Sequence, residues 1–302
     1  MADWAAFAGF AGVVAGLLLL LAHASKSVFS DGSHDEHSAT FDPERPLKRR
    51  HHDRVAETTP DGGLETSSGP ASFTTNSPPE NGWEAVDIVR DTPTSHPYAT
   101  SAGDDYQMST ASLLVNVAVS QGLFGALLVV GAWVTEIPLA ALGLGGGSIG
   151  FVPLALGTGL GVALYATNEV GAAFGERIGI GNAEELREAL APDSPAGWAV
   201  LLLVVLPVIA GFEELLFRAA LIGVIGTGFG ISPWLLAALS SVAFALGHGA
   251  QGPGGIVVTG MLGFVLAAAF VLTGSLFVVV VAHYLVNALE FVVHEGLDID
   301  WV

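Results

Sequence analysis

The sequence predicts an all-α, polytopic membrane helix bundle of about six helices, preceded by an N-terminal anchor helix and a disordered acidic linker. Three observations carry that prediction. First, 51% of the 302 residues are apolar and only 13% are charged, with a mean hydropathy of +0.60, a balance far from that of a soluble globule. Second, the apolar residues fall into runs of the length needed to cross a hydrocarbon core of about 30 Å. Third, the polar residues are concentrated: His23 to Ser109 holds seven of the ten basic and fifteen of the 29 acidic side chains.

The same arithmetic excludes function classes. A formal net charge of −19 leaves no basic footprint with which to displace counterions from phosphates, so no nucleic-acid partner is expected. The chain has no cysteine, which removes disulfides, thiolate zinc sites and cysteine nucleophiles together. Chemistry must come from carboxylates, imidazoles, hydroxyls or amides.

Taken in order, Trp4 to Leu21 is an uninterrupted apolar run, and residues 1–22 are read as a transmembrane anchor. Ala22-His23-Ala24 has the small-residue character of a signal-peptide cleavage site, but no positive charge precedes the run, which favours a retained helix over a cleaved leader. Residues 23–110 are too polar to bury enough apolar surface to offset their ordering entropy, and are read as a disordered acidic linker. Within it, Lys48-Arg49-Arg50-His51-His52 reads as a solvated charge cluster rather than a lipid-binding one, and His34-Asp35-Glu36-His37 as at most a weak metal binder. Further spans are expected near Ala111 to Val134 and Gly150 to Phe174, forming a two-helix unit at 111–174, and then near Trp198 to Ile225, Pro233 to Gly247, Gly254 to Leu272 and Leu276 to Val293 within 198–295. The Pro233 segment is short for a full crossing. Between these units, residues 175–197 form a charged loop in which Asn182 and Glu185 have the pattern of a helix start and Pro192 that of its end, so a short interfacial helix is expected there. Arg177 and Arg187, with the basic residues of the linker, orient both segments to the cytoplasm.

An ionisable group inside a bilayer costs about 2.5–3.5 kcal/mol on insertion scales, so each one in a span needs a partner or a purpose. The spans and their ends contain Glu169, Glu213, Glu214, Arg218, His248, His283, Asn287, Glu290 and His294. Glu169, Glu290 and His294 lie near helix ends, where snorkelling to the interface explains them. Glu214 and Arg218 are four apart and share a helix face, so they are expected to pair. Glu213 points elsewhere and needs a partner on another helix. His248 ends the next span, while His283 and Asn287 stand four apart on one face of the last. A carboxylate beside an imidazole can take a proton from water, and imidazole and amide N–H groups can donate to a developing oxyanion. Interhelical hydrogen bonding without catalysis, and an ion or proton relay, are the competing readings of the same groups.

The ordered motifs Glu213-Glu214-x-x-x-Arg218, Phe244-x-x-x-His248 and His283-x-x-x-Asn287 resemble the three motifs of the CPBP intramembrane proteases, which include the type II CAAX prenyl endopeptidases and the bacteriocin-processing or immunity proteins of the Abi family. The resemblance covers Trp198 to Val293. It implies a membrane-embedded endopeptidase in which Glu213 and His248 activate water, His283 and Asn287 stabilise the oxyanion, and Glu214 and Arg218 support them. It leaves the cofactor open between none and zinc, with Glu213, His248 and His283 as the ligands if a metal is present; the pattern is not the His-Glu-x-x-His of zinc peptidases, which favours no obligatory metal. The implied partners are the lipid bilayer and a peptide or protein substrate within or at it, either a prenylated tail or a processed peptide. Two departures stand out: Ala219 occupies a position where many relatives carry glycine, and the anchor and linker have no counterpart in the family core. A non-catalytic binding or immunity protein of the same fold, or a coupled carrier, is the alternative. The acidic excess and the presence of only two lysines suggest adaptation to high salt, where screening removes self-repulsion.

Overall fold

The computed structural model describes residues 1–32, 109–176, 187, 188 and 190–299. Most of the expected linker, the interfacial helix around Asn182 and Glu185, and the clusters at 34–37 and 48–52 lie outside these residues. The described chain contains seven principal helices and, among the described residues, no strand: α1 (Trp4–Gly32), α2 (Thr110–Val134), α3 (Phe151–Glu176), α4 (Pro195–Phe229), α5 (Pro233–Gly247), α6 (Gly252–Thr273) and α7 (Leu276–Gly296). All but α5 are long and apolar enough to cross a membrane. At 15 residues α5 is short for a crossing, as its sequence predicts.

The N-terminal helix runs ten residues past the anchor boundary read from composition. Once its apolar part is fixed, each added residue gains a backbone hydrogen bond without a new nucleation cost. Asp3 caps it, the carboxylate accepting from the Ala6 N–H at 3.0 Å. α1 is also more than a tether. Phe7, Ala11 and Val14, spaced on one helix face, are buried in the main core, and the Trp4 ring packs where Gly228 at the end of α4 has no side chain.

Two features of α4 position the site. Ser194 caps it, accepting from the Gly197 N–H at 3.1 Å, and Gly230 ends it with φ +66°, a left-handed conformation that costs glycine little. Between these ends the helix widens twice to π winding, over Leu201–Val205 and Leu215–Val224. The first stretch precedes Pro207, which lacks an N–H and crowds the preceding turn, and a local widening relieves both defects. The second begins directly after Glu214 and holds Arg218.

α7 is held against α3 by close approach. Gly157 and Gly161, four apart on α3, face α7, where an added Cβ would lie 2.7 Å from the Val278 carbonyl oxygen and 2.8 Å from that of Ala282. This is the small-xxx-small pattern by which membrane helices pack backbone to backbone. Gly161→Val is expected to cost about 1–3 kcal/mol of stability by overpacking. Gly159→Val, with open space around its Cβ position, is expected to leave stability unchanged. Thermal unfolding in detergent checks both.

Candidate active site

The sequence motifs converge where α4, α5, α6 and α7 meet. Glu214 and Arg218 pair as their spacing predicts: Arg218 Nη1 donates to Glu214 Oε1 at 2.8 Å, and both side chains are fully buried. Glu214 Oε1 also lies 2.7 Å from Nδ1 of His283 on α7. The carboxylate therefore holds an arginine from its own helix and an imidazole from another. Arg218 is fixed on its other side by Nη2 donating to the Gly263 carbonyl oxygen of α6 at 3.0 Å, and its guanidinium carbon sits 4.6 Å from the centre of the Phe244 ring, a cation–π contact.

Glu213 points away from that pair, as its place on the helix requires. It is 9% exposed, and its Oε2 is 3.7 Å from His283 Nε2, too long for a hydrogen bond. Glu213 Oε2, Glu214 Oε2 and Arg218 Nε are buried and make no hydrogen bond to protein atoms among the described residues. The two ring nitrogens of His283 thus face the two adjacent glutamates, one in contact and one at a distance that leaves Glu213 available.

His248 ends α5 and is partly buried. Its Nδ1 lies 2.8 Å from the Phe244 carbonyl oxygen, which can only accept, so Nδ1 carries the proton of this bond and Nε2 is left to act. The Phe244 ring links the two histidines, with its centre 4.5 Å from the His248 ring and 6.0 Å from the His283 ring. Asn287 lies one turn beyond His283 on the same face of α7, partly buried, with no side-chain hydrogen bond to another site residue among the described residues. The structure thus brings Glu213, Glu214, Arg218 and His283 into one cluster, joins His248 to it through Phe244, and leaves Asn287 at its edge.

Two positioning residues were missed by sequence reasoning. Phe244 appeared only as a motif letter, yet it contacts Arg218, His248 and His283. Gly263 offers no signal among the glycines of an apolar helix. Its carbonyl accepts from Arg218, and a Cβ there would come within 2.8 Å of the Phe244 ring.

The donor set does not fit a metal as placed. Among the described residues, the group of three ligating side chains whose donor atoms lie within 4.8 Å of one another is Glu169, Glu290 and His294; Glu213, His248 and His283 do not form such a group. His283 Nδ1 is engaged by Glu214 and His248 Nδ1 by a backbone carbonyl, so one nitrogen of each ring remains.

That second group joins Glu169, Glu290 and His294, which the sequence places near helix ends, to one another. His294 Nε2 is 2.8 Å from Glu169 Oε1, Asn168 Nδ2 donates to Glu290 Oε1 at 2.5 Å, and Arg187 Nε donates to Glu295 Oε1 at 2.7 Å. The end of α3, Arg187 and the end of α7 are tied together through them.

Residues 195–289 match the family model described as Type II CAAX prenyl endopeptidase Rce1-like. The matched segment, about a third of the chain, opens at the start of α4 and closes inside α7, so it contains every residue of the cluster just described. No curated protein and no solved structure matches the chain. With six helices long and apolar enough to cross a bilayer, this is a multi-pass membrane protein.

Proposed function

We propose that the chain is an intramembrane endopeptidase of the CAAX type, with Glu213 as the general base. One observation carries this reading: a buried carboxylate oxygen that makes no hydrogen bond to protein atoms among the described residues faces, at 3.7 Å, an imidazole that is pinned from behind by a second carboxylate, itself neutralised by arginine. Glu214 accepts from both Arg218 and His283 through its Oε1, whereas Glu213 Oε2 accepts from neither, and an unsatisfied buried acceptor costs about 1–3 kcal/mol.

The geometry and the proton inventory support the following roles. Glu213 Oε2 takes a proton from a water as its oxygen attacks the substrate carbonyl carbon, and His248 Nε2 accepts a hydrogen bond from the same water. With both ring nitrogens protonated, His283 gives the set Glu213, Glu214, Arg218 and His283 zero net charge. Its Nδ1–H then donates to Glu214 and its Nε2–H to the developing oxyanion, with the Asn287 carboxamide as the second donor. Collapse of the tetrahedral intermediate breaks the C–N bond as Glu213 returns its proton to the leaving amine. Glu214 and Arg218 fix the orientation of His283 and do not touch substrate.

The substrate class is a peptide tail brought to the bilayer by a covalent lipid, the reading that the family match favours. Full-length protein in lipid nanodiscs, offered the same peptide with and without a C-terminal farnesylcysteine motif, is expected to cut only the lipidated form at an appreciable rate. Equal cutting of both would overturn the substrate assignment while leaving the chemistry standing. Cleavage is expected to persist after exhaustive chelation, assayed at a temperature where the protein stays folded. Loss of activity that returns with zinc, without change in fold, would contradict the metal-free base.

A further inference from the structure

We propose that the junction of α3 and α7 is a binding site for a divalent transition metal of the zinc type, with Glu169, Glu290 and His294 as ligands. It is separate from the catalytic cluster and does not depend on the function proposed above. Three features argue for it.

The first is the donor set. His294 Nε2 lies 2.8 Å from Glu169 Oε1 and 3.8 Å from Glu290 Oε2, and the three donor atoms all fall within 4.8 Å of one another. A zinc ion with ligands at about 2.0–2.2 Å holds its donors about 3–4 Å apart, so Glu169 has to draw back slightly from His294 while Glu290 is already at a fitting distance from it. One imidazole nitrogen with two carboxylate oxygens suits zinc or its neighbours, whereas magnesium and calcium favour oxygen alone.

The second is charge. Among the described residues, the junction gathers three carboxylates, Glu169, Glu290 and Glu295, against the single guanidinium of Arg187, and all four side chains are less than one-fifth exposed. Arg187 Nε is committed to Glu295 at 2.7 Å, and its Nη1 reaches Glu290 only at 3.6 Å. With a neutral His294, two negative charges are left in a largely buried place, and a divalent cation that takes the place of the His294 Nε2 proton neutralises both.

The third is the backbone. α7 changes from α to π winding at Phe291–Gly296, directly after Glu290. In an α-helix residues five apart diverge by about 140°. With i→i+5 hydrogen bonding that divergence is much smaller, so the wider turn brings Glu295 round to the face toward α3 and Arg187 that Glu290 and His294, four apart, already share. Bound metal would staple α3 to the helix that carries His283 and Asn287.

The test uses full-length protein in detergent. Zn²⁺ titrated by calorimetry is expected to bind at one site and to raise the unfolding temperature. Glu169→Gln and His294→Gln are each expected to weaken binding at least about tenfold, while His283→Gln leaves it unchanged. Trp198 provides a readout on the unsubstituted site, since its ring lies 3.4 Å from where a Gly296 Cβ would stand. Co²⁺ is expected to quench its fluorescence, and Trp198→Phe to remove that quenching. Absence of Zn²⁺ binding at millimolar concentration, or of Co²⁺ quenching of Trp198, would overturn the site. So would unchanged affinity in both ligand variants, or loss of binding in His283→Gln alone, because either result puts the ion elsewhere.

Discussion

Protein carrying Glu213→Gln is expected to cleave its peptide about 10²- to 10⁴-fold more slowly than the unsubstituted enzyme, the range that a positioned general base contributes. Glutamine is nearly isosteric with glutamate and keeps a hydrogen-bonding group in the pocket, but it cannot accept and return a proton. Glu213 Oε2 makes no hydrogen bond to protein atoms among the described residues, and its ion pair with His283 Nε2 is long at 3.7 Å, so the change breaks no hydrogen bond and weakens only a distant charge contact. Stability is therefore expected to change little, because the desolvation cost of the carboxylate goes along with its long-range attraction to His283. A fall in rate with an unchanged unfolding temperature separates a chemical role from a structural one, and KM is expected to move little because the loss lies in the transition state.

The second large effect is on stability. Arg218→Met is expected to destabilise the bundle by about 3–5 kcal/mol, the usual cost of stripping a buried charge of its partner. Glu214 would keep only His283, and the Gly263 carbonyl would lose its donor. The double variant Glu214→Gln/Arg218→Met is expected to recover most of that loss, because it removes both charges together. It is not expected to recover activity, since His283 would lose the carboxylate that holds its Nδ1. Thermal unfolding of the single and double variants, measured beside their rates, distinguishes a pair that merely stabilises the fold from one that also orients an imidazole.

The helices were legible in proportion to how much of their definition is local. Pro233–Gly247 matches its sequence boundaries because a proline opens it and a glycine closes it, and the Glu214–Arg218 pair follows from one turn of helix. What escaped depends on how helices cross. Nothing in the spacing of α4 says that Glu214 rather than Glu213 meets His283 Nδ1, or that Phe244 sits between two histidines and an arginine. Glu169 meets Glu290 and His294 only because α3 packs on α7, more than a hundred residues away in sequence, while a π turn, which hydrophobic periodicity does not announce, brings Glu295 round to the same face. Similarly, α1 was read as an anchor from its apolar content, while the burial of Phe7, Ala11 and Val14 belongs to its docking on α4 and α5.

The central claim is that Glu213 and the imidazoles around it hydrolyse a peptide bond inside the membrane. The most direct measurement is mass spectrometry of a farnesylated tail peptide incubated in nanodiscs with purified full-length protein, unsubstituted and Glu213→Gln, in water enriched in ¹⁸O. One internal cut by the unsubstituted protein is expected, with a single ¹⁸O in the new carboxylate, and almost no product from Glu213→Gln. Equal product from both proteins would contradict it.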